Sequence, residues 1–185
     1  KDHVLTHLKA IRSLNDNVEI WIYDKNQRKA REVAQKWDIM VLLDLRKLLS
    51  FKFDVIVIAS PDNTHYQYLK KFCDRTPVIL CEKPVCSDLW EFDDLIKHYE
   101  YSQTNVLVNY QRSHAKKYQR MKRDLVDKKF GELRNIVVKY DKGILHNGSH
   151  AINLLNFIFG PMGKVKYFEP VQDGRLSDKT FTFIA

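Results

Sequence analysis

Apolar positions in the first 110 residues alternate between two spacings. Leu5, Leu8, Ile11 and Leu14 recur at helical intervals and predict a helix over residues 5–14. Residues 18–23 then run apolar or alternating as a strand that stops at Asp24. Ala30, Val33, Ala34 and Trp37 share one face of a helix predicted over 26–37. A short strand near 40–43, a helix near 45–50 and a strongly apolar strand over 55–60 come next. Residues 64–73 read as a helix, 77–81 as a strand, 88–99 as a helix behind a Ser87-Asp88 cap, and 106–110 as a strand. Apolar strands separated by helices of 10 to 15 residues mark a parallel sheet covered on both faces. The expected fold class is therefore α/β, a Rossmann-type doubly wound sheet.

The pattern changes after Arg112. A basic helix is followed by residues 133–140, which alternate as a strand with one polar face. A turn, a helix over Ser149–Phe159 and strand-like stretches at 165–168 and 180–184 complete the chain. This predicts a dinucleotide-binding domain over residues 1–112 and a partial α+β domain with an open sheet over 113–185. The chain has six glycines, none before Gly131. A dinucleotide-binding sheet normally opens with a strand and a glycine turn, because only glycine lets the backbone approach the pyrophosphate. That strand and loop are expected upstream of Lys1, and the last domain is expected to be incomplete.

Composition narrows the partners. The net charge is +8, from 31 basic and 23 acidic residues, and favours anionic partners such as phosphate-bearing cofactors. The densest basic run, residues 116–123, reads as the solvated face of a helix with Tyr118, Met121, Leu125 and Val126 on its apolar side, and no nucleic-acid recognition motif accompanies it. No apolar run approaches the roughly 20 residues that cross a bilayer, so neither nucleic acid nor membrane is expected as partner. Three cysteines, Cys73, Cys81 and Cys86, cannot all pair within one chain and suit a reducing, cytoplasmic compartment. They read as small buried side chains rather than metal ligands.

Candidate chemistry sits where strands end. Asp24 can accept hydrogen bonds from both ribose hydroxyls of an adenosine, which favours NAD, or cap the following helix. Lys25 and Arg28 could instead pair with a 2′-phosphate, so NADP stays open. Ser60-Pro61-Asp62-Asn63-Thr64-His65 follows an apolar strand, where loops line the cofactor crevice; Asn63 offers an amide to the ribose or nicotinamide, or Asn63 or Thr64 caps the next helix. The next strand ends in Cys81-Glu82-Lys83-Pro84. A lysine there can sit beside the nicotinamide and hydrogen-bond a substrate oxygen, and Pro84 restricts it to an extended conformation that a cis bond could aim. His146 and His150 stand four residues apart in Gly143-Ile144-Leu145-His146-Asn147-Gly148-Ser149-His150. Two metal ligands at that spacing need a regular helix, which Asn147-Gly148 opposes, so no metal is expected.

Glu82-Lys83-Pro84, Asn109-Tyr110-Gln111-Arg112 and Gly148-Ser149-His150, in that order, resemble the Gfo/Idh/MocA family (glucose–fructose oxidoreductase, inositol dehydrogenase and rhizopine catabolism). The resemblance runs from the first helix to Gly160. It implies a nicotinamide-dependent dehydrogenase acting on a hydroxyl of a sugar, cyclitol or nucleotide sugar, with an open sheet that makes a homo-oligomer. A short connection at 140–143 resembles a branch associated with surface-polysaccharide biosynthesis. By the resemblance Lys83 contacts substrate and nicotinamide, while His150 takes the hydroxyl proton. Cofactor contacts are implied for Asp24, Ser60, Pro61, Asn63, His65, Glu82, Lys83, Pro84 and Arg112. Tyr110, His146 and Asn147 join Lys83 and His150 on the substrate side. The family usually carries Asp where His146 stands, and often Asp where Asn153 stands; both changes remove negative charge near His150. A non-catalytic cofactor sensor on the same fold is the alternative those changes suggest.

Overall fold

The computed structural model describes residues 6–14, 17–174 and 177–184. The chain forms two compact units, one up to Lys52 and one from Phe53 onward.

In the first unit, helix α1 (His7–Leu14) precedes strand β1 (Trp21–Tyr23), helix α2 (Gln27–Trp37), strand β2 (Met40–Leu42) and the short helix α3 (Leu45–Leu48). Strands β1 and β2 are parallel, with Trp21 opposite Met40 and Tyr23 opposite Leu42. Asn26 caps α2 by accepting from the Lys29 N–H, and Ala30 and Ala34 bury its apolar face. The helix ends on Asp38 at φ 49, a left-handed conformation that Asp tolerates better than most side chains. The predicted strand over 18–23 is shortened to the three residues that pair with β2. Position 5 of the predicted first helix lies outside the described residues.

The second unit opens with the parallel sheet β3 (Val55–Ile58), β4 (Val78–Cys81) and β5 (Asn105–Val108), in that order. Ile58 lies opposite Cys81, and Cys81 opposite Val108, so the three carboxyl ends align. Crossovers run through a 3-10 turn (Asp62–Thr64) into helix α4 (His65–Phe72), and through helix α5 (Leu89–Tyr99). Leu69 and Phe72 of α4, Leu95 of α5 and Ile58, Ile79 and Cys81 of the strands form the core. Asp88 takes the N-cap position of α5 without a side-chain bond; Glu91 instead accepts from the Ser87 N–H. These are Rossmann-like parallel sheets with helices, as the strand periodicity predicts.

After β5 come the short helix α6 (Gln111–His114), the basic helix α7 (Lys116–Val126), a π-helical turn (Ile144–Gly148) and helix α8 (Ser149–Phe159). On α7 Met121 and Val126, placed by the sequence on the apolar side, are exposed, while Tyr118 and Leu125 are partly covered. Strands β6 (Lys166–Tyr167) and β7 (Phe183–Ile184) are antiparallel, and a bridge joins Val171 to Thr180. One expectation is corrected. Residues 133–140 alternate like a strand, yet they pair with no other segment among the described residues and carry no regular structure. Alternation records which side chains seek cover, but a strand also needs a neighbouring backbone to satisfy its N–H and C=O groups. Here Ile136, Val138 and Tyr140 line a cavity of about 730 Å³ together with Leu155, Phe159 and Phe181.

Candidate active site

The carboxyl ends of β3 and β4 carry the two loops that the sequence singles out. In the first, Thr64 Oγ1 donates to the Pro61 carbonyl at 2.6 Å and lies 2.7 Å from Ser60 Oγ, which folds residues 60–64 into a tight turn. His65, only 1% exposed, stands between the loops: its ring nitrogens lie 2.7 Å from the Pro84 carbonyl and 2.8 Å from the Ser60 carbonyl. With both nitrogens engaged by the protein, His65 ties the loop after β3 to the loop after β4. Glu82 extends the β4 ladder by donating its N–H to the Ile58 carbonyl at 2.8 Å, and its side chain accepts from Asn109 Nδ2 at 2.7 Å. The Lys83–Pro84 bond is cis. Asn63 is exposed and has its N–H held by Asp62 Oδ1 at 3.0 Å.

Lys83 Nζ donates to the main-chain carbonyl of His146 at 2.8 Å, across 63 positions of sequence. The ammonium at the sheet's end is thus fixed to the turn that leads into α8. Four residues later His150 occupies the first turn of α8, its ring edge-on to Tyr110 with centroids 5.7 Å apart and planes at 90°. Burial pushes the His150 imidazolium below the ordinary histidine range; the Lys83 and Arg112 cations push the same way and Glu82 opposes them. His150 Nδ1 and Asn153 Oδ1 are buried with no hydrogen-bond partner among the described residues. Burial also raises the Tyr110 hydroxyl, with the neighbouring Ser149 opposing it. Arg112 stands exposed on α6. Asn147 is turned to Asp141 by a 3.1 Å bond from its Nδ2. Asp24, in the other unit, is exposed and accepts from the Asn26 N–H at 2.7 Å; Asn26 rather than Asp24 caps α2.

The histidine expected to be a departure turns out to be a hub. Its Nδ1 meets Asp178 Oδ2, its Nε2 lies 3.1 Å from Asp62 Oδ2, and its N–H donates to Asp178 Oδ2 at 2.9 Å. Asp178 is 2% exposed and also accepts from the Leu145 N–H at 2.8 Å. Burial pushes the Asp178 carboxyl up, but these backbone and imidazole donors outweigh it and hold it below the usual carboxylate range. Segment 178–181 is laced onto the turn: Ile144 N–H donates to the Lys179 carbonyl, Gly143 N–H to Thr180 Oγ1, and the Tyr140 hydroxyl to the Phe181 carbonyl.

A family model described as an oxidoreductase family with an NAD-binding Rossmann fold matches residues 5–110. The chain belongs to the Gfo/Idh/MocA family. No curated protein matches it. Among solved structures, the WlbA dehydrogenase from Bordetella pertussis, in complex with NADH and UDP-GlcNAcA, is 18% identical with a TM-score of 0.76, covering 94% of this chain and 57% of its own. A myo-inositol dehydrogenase from Corynebacterium glutamicum is 17% identical with a TM-score of 0.73, covering 92% of this chain and 57% of its own. A WlbA dehydrogenase from Chromobacterium violaceum, also with NADH and UDP-GlcNAcA, is 18% identical at a TM-score of 0.72, covering 88% and 54%. Such identities establish a shared fold, and the chain spans little more than half the length of these structures.

The family's fold binds NAD, as the sequence implies, and the residues of the second unit fit the nicotinamide end of such a cofactor. Two buried polar atoms without a partner among the described residues, on His150 and Asn153, lie on the helix whose entry turn holds Lys83. Sequence reasoning names His146 but misses its carboxylate partners. Asp62 stands inside a quoted loop without a role. Asp178 lies 32 positions from His146 and in no motif; its one signal is Gly143, whose missing side chain leaves room for the carboxylate.

Proposed function

We propose that this Gfo/Idh/MocA protein is an NAD(P)-dependent oxidoreductase acting on a hydroxyl or carbonyl of a sugar, cyclitol or nucleotide sugar. The reading is carried by one observation: an ammonium at the end of β4 reaches the turn that delivers a half-buried imidazole, so Lys83 and His150 share one neighbourhood. When bound, the nicotinamide accepts or donates the hydride. The protein's part is position and proton handling. Lys83 hydrogen-bonds the reacting oxygen and steadies the negative charge that grows on it. His150, kept neutral by burial and by the neighbouring cations, takes the hydroxyl proton during oxidation and returns it during reduction. Tyr110 packs edge-on against that imidazole and limits its rotation.

In this assignment residues 1–112 bind the cofactor and 113–185 contribute to the substrate side and to a homo-oligomer interface in a cytoplasmic enzyme. Asp24 meets the adenosine ribose. Ser60, Pro61 and Asn63 line the crevice, with His65, Glu82 and Pro84 shaping it from behind, and Arg112 adds positive charge. His146 and Asn147 border the substrate. The WlbA structures are complexes with UDP-GlcNAcA, and the others include myo-inositol dehydrogenases, which supports those substrate classes; a place in surface-polysaccharide chemistry rests on the short 140–143 connection alone.

In the full-length protein, Lys83→Ala and His150→Ala are expected to bind NAD(H) and keep the wild-type circular dichroism while turnover falls by about 10²–10⁴. Wild-type turnover in both variants refutes the assignment. The rival reading, a cofactor sensor without catalysis, draws on the His150 Nδ1, which has no hydrogen-bond partner among the described residues. It predicts NAD(H) binding with no turnover across a panel of sugars, cyclitols and nucleotide sugars.

A further inference from the structure

The ammonium assigned to catalysis is held by a main-chain oxygen, so whatever fixes that piece of main chain fixes the ammonium. The His146 carbonyl receives Lys83 Nζ at 2.8 Å. The peptide that carries it sits in a single π-helical turn, Ile144–Gly148, a rarer and less regular hydrogen-bonding pattern than an α-helix. Three donors from this turn converge on one buried carboxylate: the Leu145 N–H, the His146 N–H and the His146 Nδ1, all on Asp178. On its far side the imidazole meets Asp62, in the loop after β3. His146 is thereby clamped by its backbone and by both nitrogens of its ring, between the end of the sheet and segment 178–181. The space for the carboxylate exists because position 143 has no side chain: a Cβ there would fall 2.1 Å from Asp178 Cγ.

We propose that Asp178 and His146 are positioning residues for Lys83: the Asp178–His146–Asp62 clamp sets the His146 carbonyl, and that carbonyl aims the ammonium. The proposal rests on the functional reading of Lys83 given above, and extends it to a residue in no recognised motif. Neither Asp178 nor the His146 ring touches the reacting atoms in this scheme. Both act through the main chain.

The test reads the ammonium directly. In the full-length protein labelled with 15N-lysine, the Lys83 ammonium is expected to give a resolved 1H–15N correlation, because a fixed hydrogen bond slows its exchange with water; Lys83→Ala assigns it by its disappearance. Asp178→Asn keeps shape and volume but places an N–H₂ or a weaker acceptor against the turn's donors. It is expected to abolish or shift the Lys83 correlation while backbone amide signals outside the turn stay in place. A Lys83 correlation at its wild-type position in folded Asp178→Asn overturns the proposal. If that variant does not fold, His146→Ala, which removes the ring's contacts to Asp178 and Asp62 but keeps the acceptor carbonyl and the two main-chain bonds to Asp178, is read the same way. Failure here is separable from failure of the functional reading: retained turnover in Lys83→Ala refutes the catalytic role and leaves the clamp standing, whereas an unmoved ammonium refutes the clamp alone.

Discussion

Gly143→Ala is the sharpest energetic test of how the turn is built. Gly143 adopts φ 91, ψ 154, a region that is essentially closed to residues with a side chain. A Cβ there would lie 2.1 Å from Asp178 Cγ and Oδ2 and 2.6 Å from Oδ1, far inside contact distance. Forcing alanine into that backbone region costs about 1–3 kcal/mol. The carboxylate, 2% exposed and packed against the turn, has to move as well, and its movement strands the Leu145 and His146 N–H groups. Leaving buried donors unmet costs roughly a further 1–3 kcal/mol. Together the loss is on the order of 2–6 kcal/mol, a large share of the roughly 5–15 kcal/mol that stabilises a typical domain. Gly160 supplies the control: it adopts φ 87, ψ −177, with nothing within 4 Å of its would-be Cβ. Gly160→Ala therefore carries the backbone cost alone. Urea unfolding of both variants of the full-length protein separates the two contributions. Gly143→Ala should exceed Gly160→Ala by about 2 kcal/mol. Equal losses in the two variants would show that Asp178 yields at no cost, and the account of the clamp would fail.

Two further predictions use other parts of the site. Because burial first, and Lys83 and Arg112 second, lower the His150 pKa, the neutral base persists to pH values below the ordinary histidine titration, and the acid limb of kcat/KM should lie there. Arg112→Gln removes one depressing cation and should move that limb to higher pH; an unmoved or lowered limb, checked against the His150 ring signal by NMR, contradicts the electrostatic account. His65 is buried with its ring nitrogens against the Ser60 and Pro84 carbonyls, so His65→Ala should cost about 3 kcal/mol in thermal or urea unfolding, from a cavity plus a carbonyl left without its N–H donor. A loss under about 1 kcal/mol would show that the bridge is dispensable.

Much of the architecture is written locally. The apolar runs at 55–58, 78–81 and 105–108, with helical stripes between them, admit little besides a parallel sheet with crossovers, and the structure pairs those runs in register. The helix over Ser149–Phe159 is legible from its sequence, although the π turn Ile144–Gly148 runs into it without a break, with Gly148 in a helical backbone conformation. Lys83 sits at the end of β4, where its motif puts it, and its bond to the His146 carbonyl brings it to the turn before His150. Residues 133–140 are not legible, since alternation specifies an apolar face but not a backbone to pair with. His65 shows the same limit from the other side. Its place in a cofactor loop suggests a ligand contact, whereas its neighbours consume both ring nitrogens.

Short-range order, then, comes from spacing: which residues repeat every two or every 3.6 positions, and which residue types end an element. The carboxylates around His146 follow a different logic. Asp62 and Asp178 stand 84 and 32 positions away along the chain, and nothing in either local pattern points to an imidazole. A hydrogen bond acts over about 3 Å of space and is indifferent to separation along the chain. Which donor meets which carboxylate is therefore settled only when the sheet, the π turn and the segment beyond it have packed.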